Sequence, residues 1–189
     1  MTAKEKSALL ALARATIVAR VGGKPLPEVT KPSKGLESQS GCFVTIKQQG
    51  QLRGCIGSFV SQQPLWQTVQ EMAISAATRD PRFYPMKPAD LADFSLEISV
   101  LSPLQPIQSV EEIKVGTHGI YLIKGAAHGV LLPQVAAEYG WDRETFLRHT
   151  CLKAGLPENT WQKECEIYIF SAEVFGDPEP ASATVPGLP

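Results

Sequence analysis

At 189 residues, the chain is long enough to bury the core of one ordinary domain without disulfides or a metal as a staple. Apolar residues make up 43% and charged residues 20% of the sequence, and these proportions exclude a wholly disordered protein. Eighteen Lys and Arg against nineteen Asp and Glu give a dispersed net charge of -1. The sequence therefore argues against nucleic acid as a partner, because binding to a phosphate backbone needs clustered cations.

The beginning of the chain contains an apolar run at 8–13 that resembles the core of a signal peptide. Arg14 and Arg20 interrupt the helix that contains it, and no clean cleavage pattern follows, so no export signal is predicted. No other stretch approaches the roughly 18 apolar residues that a membrane span needs. We therefore expect a cytoplasmic protein with no membrane partner. Its four cysteines are expected to be thiols, with one disulfide left open as an alternative.

The first half of the chain alternates a helix, an irregular segment and a hairpin. Thr2 and Glu5 fit a capping box, and apolar residues at four-residue steps predict an amphipathic helix ending near Val21. The segment 22–40 is rich in Gly, Pro, Lys and Ser and predicts a long loop. Two β-prone runs, 42–47 and 51–56, predict a hairpin that brings Phe43 and Val44 close to positions 55 and 56.

The remaining predicted elements follow from turn residues and periodicity. Pro64 begins a second helix that ends near Arg79, and a short helical piece over 88–93 leads into a strand over 94–101. A second hairpin (119–124 and 128–132), two helices (133–139 and 142–155) and a strand over 165–174 follow. Because helices fall between hairpins, we predict an α+β fold with a mixed, largely antiparallel sheet flanked by helices, with two unequal lobes as an option.

One motif resembles the signature of a known family. Leu52-Arg53-Gly54-Cys55-Ile56-Gly57 is similar to the signature of the AMMECR domain, and 80–83, 96–102, 129–136 and 140–142 agree in the same order. The resemblance covers roughly residues 4–175. It identifies 1–176 as an AMMECR domain and leaves 177–189 as a Pro-rich tail, which we expect to be disordered.

The resemblance implies a compact α+β fold and a set of partners. Prokaryotic relatives are typically encoded beside, or fused to, a Memo-type protein and a radical S-adenosylmethionine protein, together called the AmmeMemoRadiSam system. The resemblance does not imply a particular reaction. Partners of these two types are therefore expected, whereas an activity has to be argued from the residues.

Cys55 is the candidate with the sharpest chemistry. Alternation along its strand places Arg53 and Cys55 on one face, and a nearby guanidinium favours the thiolate, which is the reactive form of cysteine. Gly54 and Gly57 would let a ligand or another chain approach the backbone closely. In the alternative interpretation, Cys55 is a small buried apolar residue and both glycines serve tight packing.

Three charged residues are candidates for the same site. Asp80 precedes a proline in an ordinary turn and either caps the chain, pairs with Arg82 or contacts a ligand. In the functional interpretation, Arg82 adds a planar anion-binding fork to a cleft shared with Arg53. Glu97 interrupts an apolar strand. It either faces solvent or, if it shares the face of Arg53, is its partner or a general base.

Two further polar residues are weaker candidates. His118 lies at a turn and is a candidate for proton transfer or ligand binding, although a lone histidine is more often an ordinary turn residue. Gln134 lies near a helix start and is either a polar ligand contact or a capping residue. Motifs such as HExxH, CxxC, GxGxxG and GxSxG do not occur in the sequence. Neither a metal nor a cofactor is therefore predicted.

These residues lead to three hypotheses. In the first, a cleft lined by Arg53, Cys55, Arg82 and Glu97 binds an anionic small molecule or a modified peptide, in cooperation with Memo-type and radical S-adenosylmethionine proteins. In the second, the protein is a thiol-dependent enzyme with Cys55 as nucleophile. In the third, it is a non-catalytic interaction module whose partner site is an apolar patch.

Overall fold

A computed structural model describes residues 1–163 and 165–177. The described chain forms two compact units, Met1–Val100 with residues 174–177, and Leu101–Glu173. The strands form two four-stranded sheets rather than one, and helices accompany both. The predicted α+β class is confirmed.

The helices and strands of the described chain have the following bounds. The helices are α1 (Ala3–Val21), α2 (Leu65–Thr78), α3 (Pro133–Glu138) and α4 (Arg143–Lys153), and short 3-10 helices occupy Pro88–Ala92, Val110–Glu112 and Thr160–Gln162. The strands are β1 (Cys42–Gln48), β2 (Gln51–Ser58), β3 (Ser95–Leu101), β4 (Gln105–Pro106), β5 (Gly119–Lys124), β6 (Ala127–Leu131), β7 (Glu166–Phe170) and β8 (Ala172–Gly176).

The predicted capping box at the start of α1 is confirmed. The backbone N–H of Glu5 donates to the hydroxyl of Thr2 at 3.3 Å, and the N–H of Thr2 donates back to the Glu5 carboxylate at 2.9 Å. The hydroxyl of Ser33 donates to the same carboxylate at 2.8 Å. The Thr2 N–H, followed by the hydroxyls of Ser33 and Thr2, lowers the pKa of Glu5 to about 2. One carboxylate therefore ties the irregular segment before β1 to the first turn of α1.

The first sheet has the strand order β2-β1-β3-β8 and places β2 at an edge. One face of the sheet is buried against the two long helices, because the apolar side chains of β1 and β3 alternate with polar ones. The fully buried residues of this core include Leu9, Ile17, Val44, Ile46, Val69 and Ile98. The core therefore fixes β1 and β3. Their polar side chains lie on the opposite face of the sheet.

The hairpin between β1 and β2 contains an irregularity that alternation did not predict. Gln49 and Gly50 both have positive φ, as a two-residue primed turn requires. Lys47 is opposite Leu52 but Ile46 is opposite Gly54, so Arg53 is an extra residue in a β-bulge. The bulge shifts the predicted register by one residue.

The second unit has its own sheet and core. Its strand order is β4-β7-β5-β6, and α4 packs against the sheet through Phe146 and Leu147. Asp142 caps α4 by accepting the N–H of Thr145 at 2.8 Å, as predicted. Gly155 ends the helical region with φ +71°.

The predicted continuous strand over 165–174 is wrong in one respect. It is two strands, β7 in the second sheet and β8 in the first. The break lies at Ser171, whose N–H donates to the hydroxyl of Ser102 at 2.9 Å and whose carbonyl accepts the N–H of Ser102 at 2.9 Å. These two bonds at Ser171 mark the point where the chain leaves one ladder for the other.

The predicted tail over 177–189 falls mostly outside the described residues, which end at Asp177. The carboxylate of Asp177 accepts the N–H of Leu96 at 2.7 Å and pairs with Arg14 at 2.6 Å. The first residue of that predicted tail is therefore bound to β3 and α1.

None of the helices in the described ranges is long and apolar enough to cross a membrane.

Gly54 offers a direct test of how β2 packs on α2. A β-carbon at this position would overlap the backbone carbonyl oxygen of Ala76, which cannot swing aside as a side chain does. We expect Gly54→Ala to lower the free energy of unfolding by about 1–3 kcal/mol, as overpacking does, measured by urea denaturation.

The matched control is Gly50→Asn, at an open turn position with φ +76°. Asparagine tolerates the left-handed conformation, so we expect a change within about 0.5 kcal/mol. An equal loss of stability in both variants would contradict the role of helix contact at Gly54.

Candidate functional site

Cys55 lies in the edge strand β2, and its outward-facing backbone groups are bound by one ion pair. The N–H of Cys55 donates to Asp80 Oδ2 at 2.8 Å, and the carbonyl of Cys55 accepts from Arg82 Nη2 at 3.3 Å. An edge strand normally leaves such groups open to water or to another chain. Here the turn after α2 satisfies both of them, so the backbone of Cys55 is fixed.

Asp80 is the buried centre of this arrangement, with a side chain that is 1% exposed. Besides the N–H of Cys55, its carboxylate accepts Arg82 Nε at 3.0 Å, Arg82 Nη2 at 2.7 Å and the Arg82 backbone N–H at 3.1 Å. These hydrogen bonds, led by those from the Arg82 guanidinium, hold the pKa of Asp80 far below its usual range against the opposing effect of burial. Asp80 therefore stays ionised, and the predicted pairing with Arg82 is confirmed.

Arg82 combines a fixed position with access to solvent. Its side chain is 55% exposed although two of its nitrogens are bound to Asp80. The hydrogen bonds to Asp80 raise the pKa of Arg82, so it is a permanent cation. Nη1 has no hydrogen-bond partner within residues 1–163 and 165–177. This nitrogen is available to a ligand.

The face of the sheet away from the core carries a lateral row of three residues. Thr45 on β1 is opposite Cys55 on one side and opposite Glu97 on the other. The hydroxyl of Thr45 donates to Cys55 Sγ at 3.2 Å. Cys55 and Glu97 therefore share one face, with Thr45 between them.

Glu97 pairs with a residue that the sequence analysis did not single out. Lys47 Nζ lies 3.1 Å from Glu97 Oε2, and the two side chains are 33% and 35% exposed. Arg53 pairs with Asp90 instead, at 3.4 Å, with side chains 17% and 28% exposed. The alternative in which Glu97 is the partner of Arg53 is therefore not observed, because Glu97 pairs with Lys47 and Arg53 pairs with Asp90.

The space beside both candidate glycines is filled by protein atoms. A β-carbon at Gly54 would overlap the backbone of α2, and one at Gly57 would overlap the ring of Phe43 and the carbonyl of Cys42. Internal packing therefore accounts for both positions. At Gly54, which is buried, the close neighbour is the helix that supports the strand.

His118 and Gln134 belong to the second unit. His118 Nδ1 accepts the N–H of Lys114 at 3.3 Å and so closes a turn. Gln134 lies in the first turn of α3, and its Oε1 is buried with no hydrogen-bond partner in the described part of the chain. A capping bond from Gln134 is therefore not observed, and an unsatisfied buried acceptor is a place where water or a ligand is expected.

Three contact residues were missed by the sequence analysis: Thr45, Lys47 and Asp90. A regular register counted from the turn places Thr45 opposite Gly54, and only the bulge brings it opposite Cys55. Alternation along β1 was the signal that could have placed Lys47 on the same face of the sheet as Thr45. No local pattern indicates Asp90, which lies 37 residues from Arg53.

The four cysteines, all within the described ranges, are free thiols. Burial raises the pKa of Cys42 to about 12, and burial also raises the pKa of Cys151 and of Cys165. No group of three or more His, Cys, Asp or Glu side chains suited to a metal occurs among residues 1–163 and 165–177.

The lowered pKa of Asp80 predicts a pH-dependent contribution to stability. In the unfolded chain an aspartate has a pKa near ~3.9, so the contribution is complete above that value and is lost as pH falls below it towards the folded pKa. At neutral pH, Asp80→Asn should lower the free energy of unfolding by about 2 kcal/mol, because the Arg82 guanidinium and Cys55 N–H lose a charged acceptor. The difference from the unmodified protein should shrink below pH ~4.

Urea denaturation between pH 7 and pH 3 measures this difference. The control is Glu158→Gln, which removes the carboxylate of an Arg–carboxylate pair whose side chains are 41% and 46% exposed. It should cost less than about 1 kcal/mol. A constant difference for Asp80→Asn at every pH would show that its effect is not that of an ionised carboxylate.

Comparisons with known proteins identify the family to which this chain belongs. The AMMECR1 family matches residues 10–175. "Protein MK0488" of Methanopyrus kandleri is 44% identical over 190 residues, covering 95% of this chain and 92% of its own, and a protein of Methanothermobacter thermautotrophicus is 46% identical over 158 residues, covering 79% of each. The crystal structure of an uncharacterized protein, PH0010 from Pyrococcus horikoshii, has a TM-score of 0.84 at 37% identity and covers 94% of each chain. This chain belongs to the AMMECR1 family.

Proposed function

We propose that the protein binds an anionic small molecule or a modified peptide segment beside Cys55, in cooperation with Memo-type and radical S-adenosylmethionine proteins. The observation that carries the proposal is the guanidinium of Arg82, which is held by Asp80 and by the Cys55 carbonyl while more than half of its side chain is exposed. A guanidinium that is already oriented loses little conformational freedom when it binds a carboxylate or a phosphate.

Lys47 supplies a second cation for the same ligand. It is two residues from Thr45 on β1, so both side chains project from the face that bears Cys55. Its pair with Glu97 is about one-third exposed, and pairs of this kind contribute only about 0–1 kcal/mol. An incoming anion can therefore replace Glu97 as the partner of Lys47.

Arg53 has a supporting role in this proposal. It is the most buried of the three cations and is bound to Asp90 on the 3-10 helix Pro88–Ala92. Its guanidinium anchors the bulge and so fixes the end of β2 from which Cys55 projects. We assign ligand contact to Arg82 and Lys47 and positioning to Arg53 and Asp80.

The edge of β2 limits how a peptide ligand can bind. Asp80 and Arg82 already occupy the outward N–H and carbonyl of Cys55. A peptide therefore cannot extend the sheet at this residue, as it does in β-strand addition. Recognition has to use its side chains, and an anionic modification on one of them suits Arg82.

Anion binding by Arg82 is testable with inorganic phosphate and succinate as probes. In a two-dimensional NMR titration, both should shift the Cys55 amide and the Arg82 Nε–H resonance in a saturable way. Arg82→Gln should weaken binding about tenfold, because the charge-assisted contact made by Nη1 is lost, and Arg82→Lys should give an intermediate loss.

The control is Arg148→Gln, which removes another half-exposed arginine that is paired with a carboxylate, Glu158. It should leave the titration at Cys55 unchanged. Shifts of equal size around Arg82 and Arg148 in the unmodified protein would indicate nonspecific anion binding and contradict the proposal.

A second candidate function, thiol-dependent catalysis by Cys55, is favoured by the contact with Thr45. The hydroxyl that donates to Cys55 Sγ at 3.2 Å stabilises negative charge on sulfur. Glu97, in the same row, is the candidate general base. In this case Cys55 acts as the nucleophile and Arg82 binds the anionic part of the substrate.

Alkylation by iodoacetamide, mapped by mass spectrometry, separates a reactive Cys55 from a passive one. In a thiol enzyme, Cys55 in the folded protein reacts faster than the same cysteine in the urea-unfolded chain, and Thr45→Val slows it severalfold. Thr78→Val, which removes a hydroxyl that donates to the carbonyl of Ile74, serves as the control and leaves the rate unchanged. Slower alkylation in the folded state would contradict catalysis but not ligand binding.

A further inference from the structure

We propose that the first unit has a second ligand site, for a small amphipathic carboxylate, between the beginning of α1 and the segment 29–36. A cavity of about 430 Å³ lies there. Its volume falls in the range of small-molecule sites, roughly 300–1,000 Å³. This site shares no residue with the surface around Cys55 and does not depend on the function proposed for that surface.

The floor of the cavity is apolar. Ala8 from α1 and Val29, Pro32 and Leu36 from the following segment line it. Leu36 is buried and packs into the core of the first unit, so the floor is anchored to the core. An apolar body that covers these side chains removes hydrocarbon surface from water.

Two lysines give the rim of the cavity its charge. Lys4 and Lys31 both line the cavity and are exposed. Neither has an ion-pair partner in the part of the chain that the structure describes. Two exposed lysines beside these apolar side chains match a molecule with a carboxylate head and an apolar body.

The one acidic residue of the cavity wall is already committed to the protein. The Glu5 carboxylate accepts the N–H and the hydroxyl of Thr2 and the hydroxyl of Ser33. These bonds join the two walls of the cavity, α1 and the segment around Ser33. Gly35 lets the backbone approach this carboxylate, since a β-carbon there would overlap it. The walls are therefore pre-formed, which lowers the cost of ordering them around a ligand.

We expect tight binding to require both the carboxylate head and the apolar body of the ligand. We would titrate the 189-residue chain by isothermal calorimetry with octanoate, octanol and acetate as probes. Octanoate should bind saturably, octanol should bind at least about fivefold more weakly, and acetate should give no measurable binding.

Paired variants identify the residues responsible. The double variant Lys4→Gln, Lys31→Asn should weaken octanoate binding about tenfold without changing octanol binding. Asparagine is chosen because Lys31 has φ +56°, a conformation that asparagine tolerates. The control double variant, Lys24→Gln with Lys34→Gln, removes the same charge from two exposed lysines that do not line the cavity and should bind octanoate normally.

Three results would each overturn the proposal: no saturable octanoate binding, octanol binding as tight as octanoate, or equal weakening by the cavity and control double variants. Val29→Asn provides an independent check of the floor, because an uncharged polar side chain there should weaken octanoate and octanol alike. Retained binding of both probes by that variant would also show that the ligand does not occupy this cavity.

Discussion

The carboxylate of Asp80 connects the end of α2, the edge strand β2 and the loop that carries Arg82. It is almost fully buried and accepts hydrogen bonds from the Cys55 N–H and from three nitrogens of Arg82. A buried charge without such partners would be strongly destabilising, so the three parts hold each other in place. The positions of Cys55 and Arg82 depend on this one group.

The same strand is constrained from the opposite side by Gly54. Its missing side chain lets the Ala76 carbonyl of α2 approach the backbone, and the next residue, Cys55, projects from the other face of the sheet. Gly54 and Cys55 are adjacent in β2 and have different roles. One allows close packing on the helix, and the other presents a thiol beside Thr45 and Arg82.

Contacts between residues that are close in the chain were predictable from the sequence. The capping box of Thr2 and Glu5 and the pairing of Asp80 with Arg82 each join residues two or three positions apart. Contacts across 25 and 37 residues, from Cys55 to Asp80 and from Arg53 to Asp90, were not predictable, because no local pattern fixes where two distant loops meet. The break between β7 and β8 belongs to this second kind.

The bulge at Arg53 shows how a single residue changes the chemistry inferred from a strand. A regular hairpin would place Val44, a core residue, opposite Cys55, whereas the extra residue at 53 brings Thr45 opposite it. Because side chains alternate with a period of two, this shift of one residue moves the thiol from an apolar neighbour to a hydroxyl.

The three ion pairs around β2 differ in how easily a ligand could open them. Three cations are matched by three carboxylates, but the pairs differ in burial: Asp80 is buried, the Arg53–Asp90 pair is intermediate and the Lys47–Glu97 pair is about one-third exposed. Water screens the last pair most effectively, so it is the one that a ligand can open at least cost. Opening it would free Lys47 for an anion and leave Glu97 beside Thr45.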